Sequence, residues 1–376
     1  MSTKRVQDQV RESARSSTPL RITAGGSWLD AGRPVRDAAP LSLAGDDAII
    51  EYVPGDLTLT ARAGASLADI ARVTAAEGQW LALDPFGAST GTLGATIATG
   101  SAGPLAHAFG TPRDNVLGIE SVTGTGDVVR AGGRVVKNVA GFDLTRLFTG
   151  AWGTLAVITE ATVRLRARPE RDETIALALP AGDALEVWLA KLRALPFSAL
   201  ALEMVNGAMA RALGLGDRAL LLARLGGNAE SLRAQLQAMR ALGDVVSAPE
   251  STWRALAEIE PPGAAVARAS ASPSRLHALW ARLAQHDGGS LSVGSLAHAS
   301  VGRGIVRCIH RASESVSLAT WLEHIARTEG THIFERLPEH EWSAVPTRVD
   351  DPLSRAVRAA FDPQRVLNRG ILGDIA

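Results

Sequence analysis

The sequence predicts an α+β protein in two main parts, and three observations carry that expectation. Residues 19–165 read as short strands separated by glycine-rich turns. The charged stretch Arg168-Pro169-Glu170-Arg171-Asp172 then marks a shift in composition, as domain boundaries do. Beyond it, helical and strand patterns alternate. With 376 residues, 46% of them hydrophobic, the chain can bury two or three cores at a prior of roughly 150 residues per domain. The expected division is 1–168, 169–350 and a tail, 351–376.

The elements follow in chain order. Residues 1–19 mix charges without clear periodicity, so a helix and a loose end both stay open. Ile49-Ile50-Glu51-Tyr52-Val53 is β-prone and stops at the turn signal Pro54-Gly55. Residues 57–63 alternate apolar and polar, as a half-buried strand does. Ser66-Leu67-Ala68-Asp69 is a capping box opening a helix with Leu67, Ile70, Ala71 and Thr74 on one face and Gly78 past its end. Strands are expected over 118–122, 127–131 and 154–166, with Gly124-Thr125-Gly126-Asp127 as a hairpin turn. In the second part, Leu185, Trp188, Leu189 and Leu192 share one face of a helix over 184–195. Further helices are expected over 229–242, 274–285, 315–327 and 352–361. Strands are expected over 200–205, 219–225, 264–270, 290–296 and 305–309, forming a mixed α/β sheet with helices on one face.

Composition narrows the function. Lys+Arg and Asp+Glu both number 39, for a formal net charge of zero. A nucleic-acid binder would carry a basic excess, so no nucleic-acid partner is expected, and near-zero charge suits a protein that lives in an assembly. The single cysteine, Cys308, excludes an internal disulfide and any Cys-ligated iron–sulfur cluster within this chain; its expected place is the core. The start is polar, and no stretch approaches the ~18 apolar residues of a membrane span. A soluble, reducing compartment and no direct membrane insertion are expected. No histidine pair has a tight ligand spacing, so no metal is expected.

The chemistry concentrates in Gly87-Ala88-Ser89-Thr90-Gly91-Thr92-Leu93-Gly94-Ala95-Thr96-Ile97-Ala98-Thr99-Gly100. Glycine recurs with small and hydroxylated residues and no charge intervenes. Such a run lets backbone amides approach an anion or a planar ring; a tight turn between strands explains the same spacing. Competing nucleotide motifs fail. Gly91 to Gly94 lacks the G-x-G-x-x-G order, and no G-x-x-x-x-G-K-[ST] exists.

Taken with Ser101-Ala102-Gly103-Pro104, Arg113-Asp114-Asn115-Val116-Leu117-Gly118, Val136-Lys137-Asn138-Val139-Ala140-Gly141-Phe142-Asp143 and Gly153-Thr154-Leu155-Ala156-Val157-Ile158-Thr159-Glu160, this run resembles the PCMH-type FAD-binding domain of the vanillyl-alcohol oxidase superfamily. The K-N-V-A-G-F-D string and the closing Phe361-Asp362-Pro363 and Leu367-Asn368-Arg369-Gly370 are similar to the E-subunit family of bacterial glycolate oxidases. The resemblance implies an FAD-binding domain of two α/β subdomains, then a mixed α/β cap with an antiparallel sheet and a tail returning to the FAD site. It implies noncovalent FAD and a 2-hydroxy acid substrate. The implied partners are a catalytic flavoprotein subunit and an iron–sulfur subunit, in a cytoplasmic complex that partners could bring to the inner membrane face.

Carried over by position, Gly25, Gly26 and Ser27 would form the first phosphate loop, although Trp28 departs from its familiar form. Pro85, Gly87, Gly91, Thr92, Gly94, Ala95 and Thr96 would line the pyrophosphate and flavin, and Thr99, Gly100 and Gly103 would pass the ring. Asn138, Gly141, Val157 and Ile158 would hold the adenosine and ring edges, and Asn368 would close over the cofactor. His107 is a displaced candidate for a covalent tether and reads better as a noncovalent neighbour. Lys137 reads as a surface lysine, with an ion pair to Asp143 or a phosphate contact as the alternative. For catalysis, oxidation of a 2-hydroxy acid needs a cation for the carboxylate and a base for the hydroxyl proton. His298, Arg303 and Arg268 are the candidates, and none has an assigned role. A catalytic subunit and a non-catalytic, FAD-carrying relay or scaffold both remain open, with a stand-alone flavin oxidase below them.

Overall fold

Strand Ala156–Arg164 alternates apolar side chains with polar ones, and Val157, Ala161 and Val163 are almost wholly buried. It is the middle strand of a five-stranded antiparallel sheet in the order Ile49–Val53, Thr58–Arg62, Ala156–Arg164, Val116–Thr123, Val128–Gly132. The computed structural model describes residues 3–87, 91–133, 142–284, 295–311, 316–346 and 351–373. They divide into a first unit, Met1–Gly103 with Gly110–Arg168 and Glu339–Ala376, and a second, Pro104–Phe109 with Pro169–Pro338.

In the first unit, the opening stretch is a helix, Thr3–Ser16, whose Val6, Val10 and Ser13 face inward. The capping box holds: the Ser66 hydroxyl accepts from the Asp69 amide at 3.0 Å, and it donates to the Asp69 carboxylate at 2.7 Å. The glycine run contains a short helix, Leu93–Thr99, capped by Thr92 and ended by Gly100 at φ 66°. That helix packs on Ala156–Arg164. A separate parallel pair, Leu20–Thr23 with Ala39–Ser42, lies beside the returning tail. The tail is fixed by Asp362, whose carboxylate accepts from the amides of Val366 and Leu367 at 3.0 and 2.9 Å. The Asn368 amide then donates to the Leu20 carbonyl at 3.0 Å.

The second unit is built on an eight-stranded antiparallel sheet. Its order is Val245–Ser247, Arg171–Ala178, Leu220–Gly227, Ala201–Val205, Leu296–Ser300, Ile305–His310, Ala265–Ser270, Thr331–Arg336. Ala176, Val205, Leu222, Val266, Leu296 and Ile309 form a core with Met209 of helix Gly207–Ala212 and Trp253 of helix Ser251–Ala257. The α+β class and the antiparallel second sheet agree with expectation.

Three elements differ. The two units divide between Arg168 and Pro169, inside the charged boundary segment, but Arg171–Ala178 is a strand with no clear sequence signal, because its charged first residues are exposed and only Thr174 to Leu177 are buried. Thr331–Arg336 carries Glu335 and Arg336 buried in ion pairs, so its sequence does not look like a core strand. The strand expected over 290–296 begins at Leu296; the residues before 295 lie outside those described.

Candidate functional site

One cavity in the first unit gathers much of what the sequence singled out. It has ≈ 710 Å³ of empty space, much of it open to solvent at the mouth. Gly25, Gly26, Ser27, Gly94, Ala95, Thr99, Val157, Ile158 and Asn368 all line it. So do Arg21, Ile22, Trp152, Gly153, Leu43, Ala63 and Ile371, which sequence reasoning passed over as site residues. Gly153 opens the Gly153-Thr154-Leu155-Ala156 string and Trp152 stands directly before it, so a wider reading of that string reaches both. Leu43, Ala63 and Ile371 are apolar residues with no local signal.

The cavity wall is assembled by backbone. Asn368 ties two sides together: its Oδ1 accepts from the Ile22 amide at 2.9 Å, and its Nδ2 donates to the Trp152 carbonyl at 2.8 Å. Both ends of the side chain are thereby engaged, which makes Asn368 a brace of the wall. Asn368 itself has φ 41°, a conformation Asn tolerates better than most residues. Gly153 has φ 66°, and a Cβ there would stand 2.9 Å from Asn368 Nδ2 and 3.2 Å from Ile22 Cδ1. Only glycine allows that approach. Trp152 donates its amide to the Ala98 carbonyl at 2.7 Å and meets Trp28 edge to face at 5.9 Å.

The other expected residues take structural places outside this lining. Gly91 accepts from the Leu67 amide at 3.0 Å. The Thr92 hydroxyl caps the short helix, accepting from Ala95 at 3.3 Å, and Thr96 donates its hydroxyl to the Thr92 carbonyl at 2.9 Å. Gly100 packs against Gly150 and Gly103 against Asp84. Pro85 and Gly87 lie in an irregular stretch. Asn138, Gly141 and Lys137 lie outside the described residues.

The second unit holds the catalytic candidates. His298 pairs with Arg307 across two strands, and Arg307 with Arg268. Directly opposed residues share a face, so the three form one row. His298 Nδ1 lies 2.9 Å from Glu203 Oε2, with both side chains buried. Arg307 is clamped by Glu260 at 2.6 Å and Glu335 at 2.5 Å. Burial works against its cation, but the two carboxylates outweigh that and raise its pKa. Arg268 reaches Glu335 at 3.5 Å and is the more exposed of the two arginines. Arg303 sits apart, in the turn before Ile305–His310. His107, in helix Ala106–Phe109, packs against Gly302. Burial lowers its pKa, and Glu203 opposes that. Cys308 is buried, and burial pushes its thiol up to about 12, which makes it inert at neutral pH.

The residues of the first-unit cavity fit a flavin dinucleotide. A glycine loop brings bare backbone to one side, Val157, Ile158, Ala63 and Leu43 offer an apolar surface, and Arg21 supplies a positive charge. Residues 1–132 match the family model of an FAD binding domain. The chain is 36% identical over 196 residues to the glycolate oxidase subunit GlcE of Escherichia coli (strain K12), a match covering 51% of this chain and 55% of that protein. It is 39% identical over 127 residues to the glycolate oxidase subunit GlcD of Bacillus subtilis (strain 168), covering 34% and 27%. The matches thus span about half or less of these relatives. A solved structure of alkyldihydroxyacetonephosphate synthase superposes with a TM-score of 0.69 at 17% identity, covering 97% of this chain and 75% of that one, and so shares the fold. Among the described residues, no helix is long and apolar enough to cross a membrane.

Proposed function

We propose that this chain, which carries an FAD-binding domain, is the FAD-binding subunit of a multi-subunit 2-hydroxy acid oxidase or dehydrogenase that converts glycolate to glyoxylate. The cavity walled by residues 25–27, 94–95, 152–153, 157–158 and 368 carries the reading, together with the likeness to two glycolate oxidase subunits. FAD, when bound, would supply the two-electron acceptor. The binding residues we assign are the lining residues of that cavity. The other expected positions shape its support, and the cofactor is held noncovalently. The partners are a catalytic flavoprotein subunit and an iron–sulfur subunit, since a lone cysteine provides no ligand set for a cluster. The complex works in the cytoplasm, where partners can bring it to the inner membrane face.

Within this chain, His298 held by Glu203 is the candidate base, and Arg268 the candidate grip on a carboxylate. One observation favours the second reading, an FAD-carrying relay or scaffold. Arg307 and Arg268 are already engaged by Glu260 and Glu335, so their charge is matched by the chain itself.

Purifying the chain alone separates the two. A yellow protein whose flavin band bleaches with glycolate under anaerobic conditions places oxidation in this chain. A yellow protein that bleaches only when the partner subunits are added places it in the complex. A folded protein that takes up no FAD overturns the assignment.

A further inference from the structure

We propose that Arg21 is the residue that makes the first-unit cavity select a ligand bearing a diphosphate. The proposal rests on the FAD reading above and assigns one side chain a role in it. Among the described residues, Arg21 is the one charged residue in the cavity lining. It lies on strand Leu20–Thr23, where Leu20 turns into the core at 1% exposure and alternation turns Arg21 the other way. The strand cannot drift: Arg21 is in register with Pro40, and Leu20 is tied to the returning tail on its other side.

What surrounds the guanidinium is short of negative charge. Its Nη2 donates to the Leu29 carbonyl at 3.2 Å and, weakly, to that of Trp28 at 3.5 Å. Nε and Nη1 make no hydrogen bond among the described residues, and no carboxylate there pairs with Arg21. Burial lowers its pKa, with no acidic neighbour to oppose the shift. Two other arginines of this unit contrast with it. Arg62 meets Asp46, Glu120 and Glu160, and Arg33 is spent on carbonyls and the face of Trp342.

A partly desolvated cation without a counter-ion is costly. Here it stands beside a glycine loop that leaves space for an anion. A guanidinium has five donors in a fork that matches two phosphate oxygens. An incoming diphosphate would answer the charge and use the unspent donors, while the two carbonyl contacts keep the fork aimed.

The test compares ligands that share the flavin ring and differ in phosphate. Full-length apoprotein and its Arg21→Gln and Arg21→Lys variants are titrated with FAD and with riboflavin, following flavin fluorescence at two salt concentrations. Arg21→Gln is expected to weaken FAD at least about tenfold, as loss of a charge-assisted bond does. It should flatten the salt dependence and leave riboflavin unchanged, and Arg21→Lys should fall between. Equal losses for both ligands would reduce Arg21 to a brace of the loop, and unchanged FAD binding would overturn the proposal outright. Inorganic pyrophosphate provides a readout independent of flavin. It should raise the melting temperature of the parent chain and not of Arg21→Gln. A chain that ignores FAD yet keeps this difference refutes the FAD reading alone; one that ignores both refutes both.

Discussion

The cavity of the first unit and the polar row of the second are made of opposite materials. The cavity is walled mainly by backbone, glycine and apolar side chains, with Arg21 bringing a charge and the Asn368 amide pinning Ile22 to Trp152. The row is made of buried polar and charged groups: His298 hydrogen-bonded to Glu203, and Arg307 between Glu260 and Glu335. A wall rich in glycine can bring its amides and carbonyls close to a ligand. The arginines of the row have their charge answered by carboxylates of the same chain. That difference explains why we assign cofactor binding to the first with named residues, and treat the second as a framework from which His298 and Arg268 emerge only as candidates.

The sharpest way to break the comparison is to remove the central ion of the row. Arg307→Met leaves Glu260 and Glu335 buried without their shared cation, at 2% and 9% side-chain exposure. Arg336 and Arg268 still reach Glu260 and Glu335 at 3.5 Å, so urea unfolding should show a loss that approaches, without exceeding, the about 3–5 kcal/mol of a broken buried pair. Adding Glu335→Gln in the same chain removes one carboxylate and leaves only the part-exposed Arg268 without its partner, so it should recover part of the loss. A loss below about 1 kcal/mol would mean that the row is loosely solvated and free to take a ligand.

The matching change in the first unit is Asn368→Ala. It removes two hydrogen bonds, each worth about 1 kcal/mol net, and strands the Ile22 amide and Trp152 carbonyl. It also places alanine at φ 41°. A loss of about 2 kcal/mol in thermal unfolding is expected, with faster release of bound FAD. If stability falls while FAD release is unchanged, the wall between residues 22 and 152 is not part of the cofactor's seat.

The two regions also differ in how far the sequence disclosed them. The glycine run around Gly94 stands out in composition because backbone that approaches a ligand favours glycine, whereas Gly25, Gly26, Val157 and Ile158 are pointed to only by the family resemblance. Arg21 was not legible: on a short strand, an arginine looks the same whether it faces water or a cavity. Arg307 and Glu335 were hidden for a related reason. Ion-paired core residues carry the same letters as surface ones, and strand Thr331–Arg336 went unrecognised. Thr92 and Thr96 show the converse. The hydroxyls that suggested ligand contacts are spent on capping and on the Thr92 carbonyl, because the run they belong to folds as a helix.

The smallest effect concerns an element that sequence placed well, the capping box at Ser66. Ser66→Ala removes the acceptor of the Asp69 amide, and about 1 kcal/mol should be lost at neutral pH. The same hydroxyl donates to the Asp69 carboxylate, and this bond, with Arg72 second, holds the Asp69 pKa below its ordinary value. A carboxylate with a depressed folded pKa adds stability that is complete above its unfolded pKa of about 3.9. That stability disappears as pH falls through the lower, folded value. Ser66→Ala should bring Asp69 back toward its ordinary pKa, so the gap between parent and variant should narrow in acid. Melting curves from pH 7 down to about 3 would show it. A gap that stays constant would mean that the hydroxyl serves the amide alone.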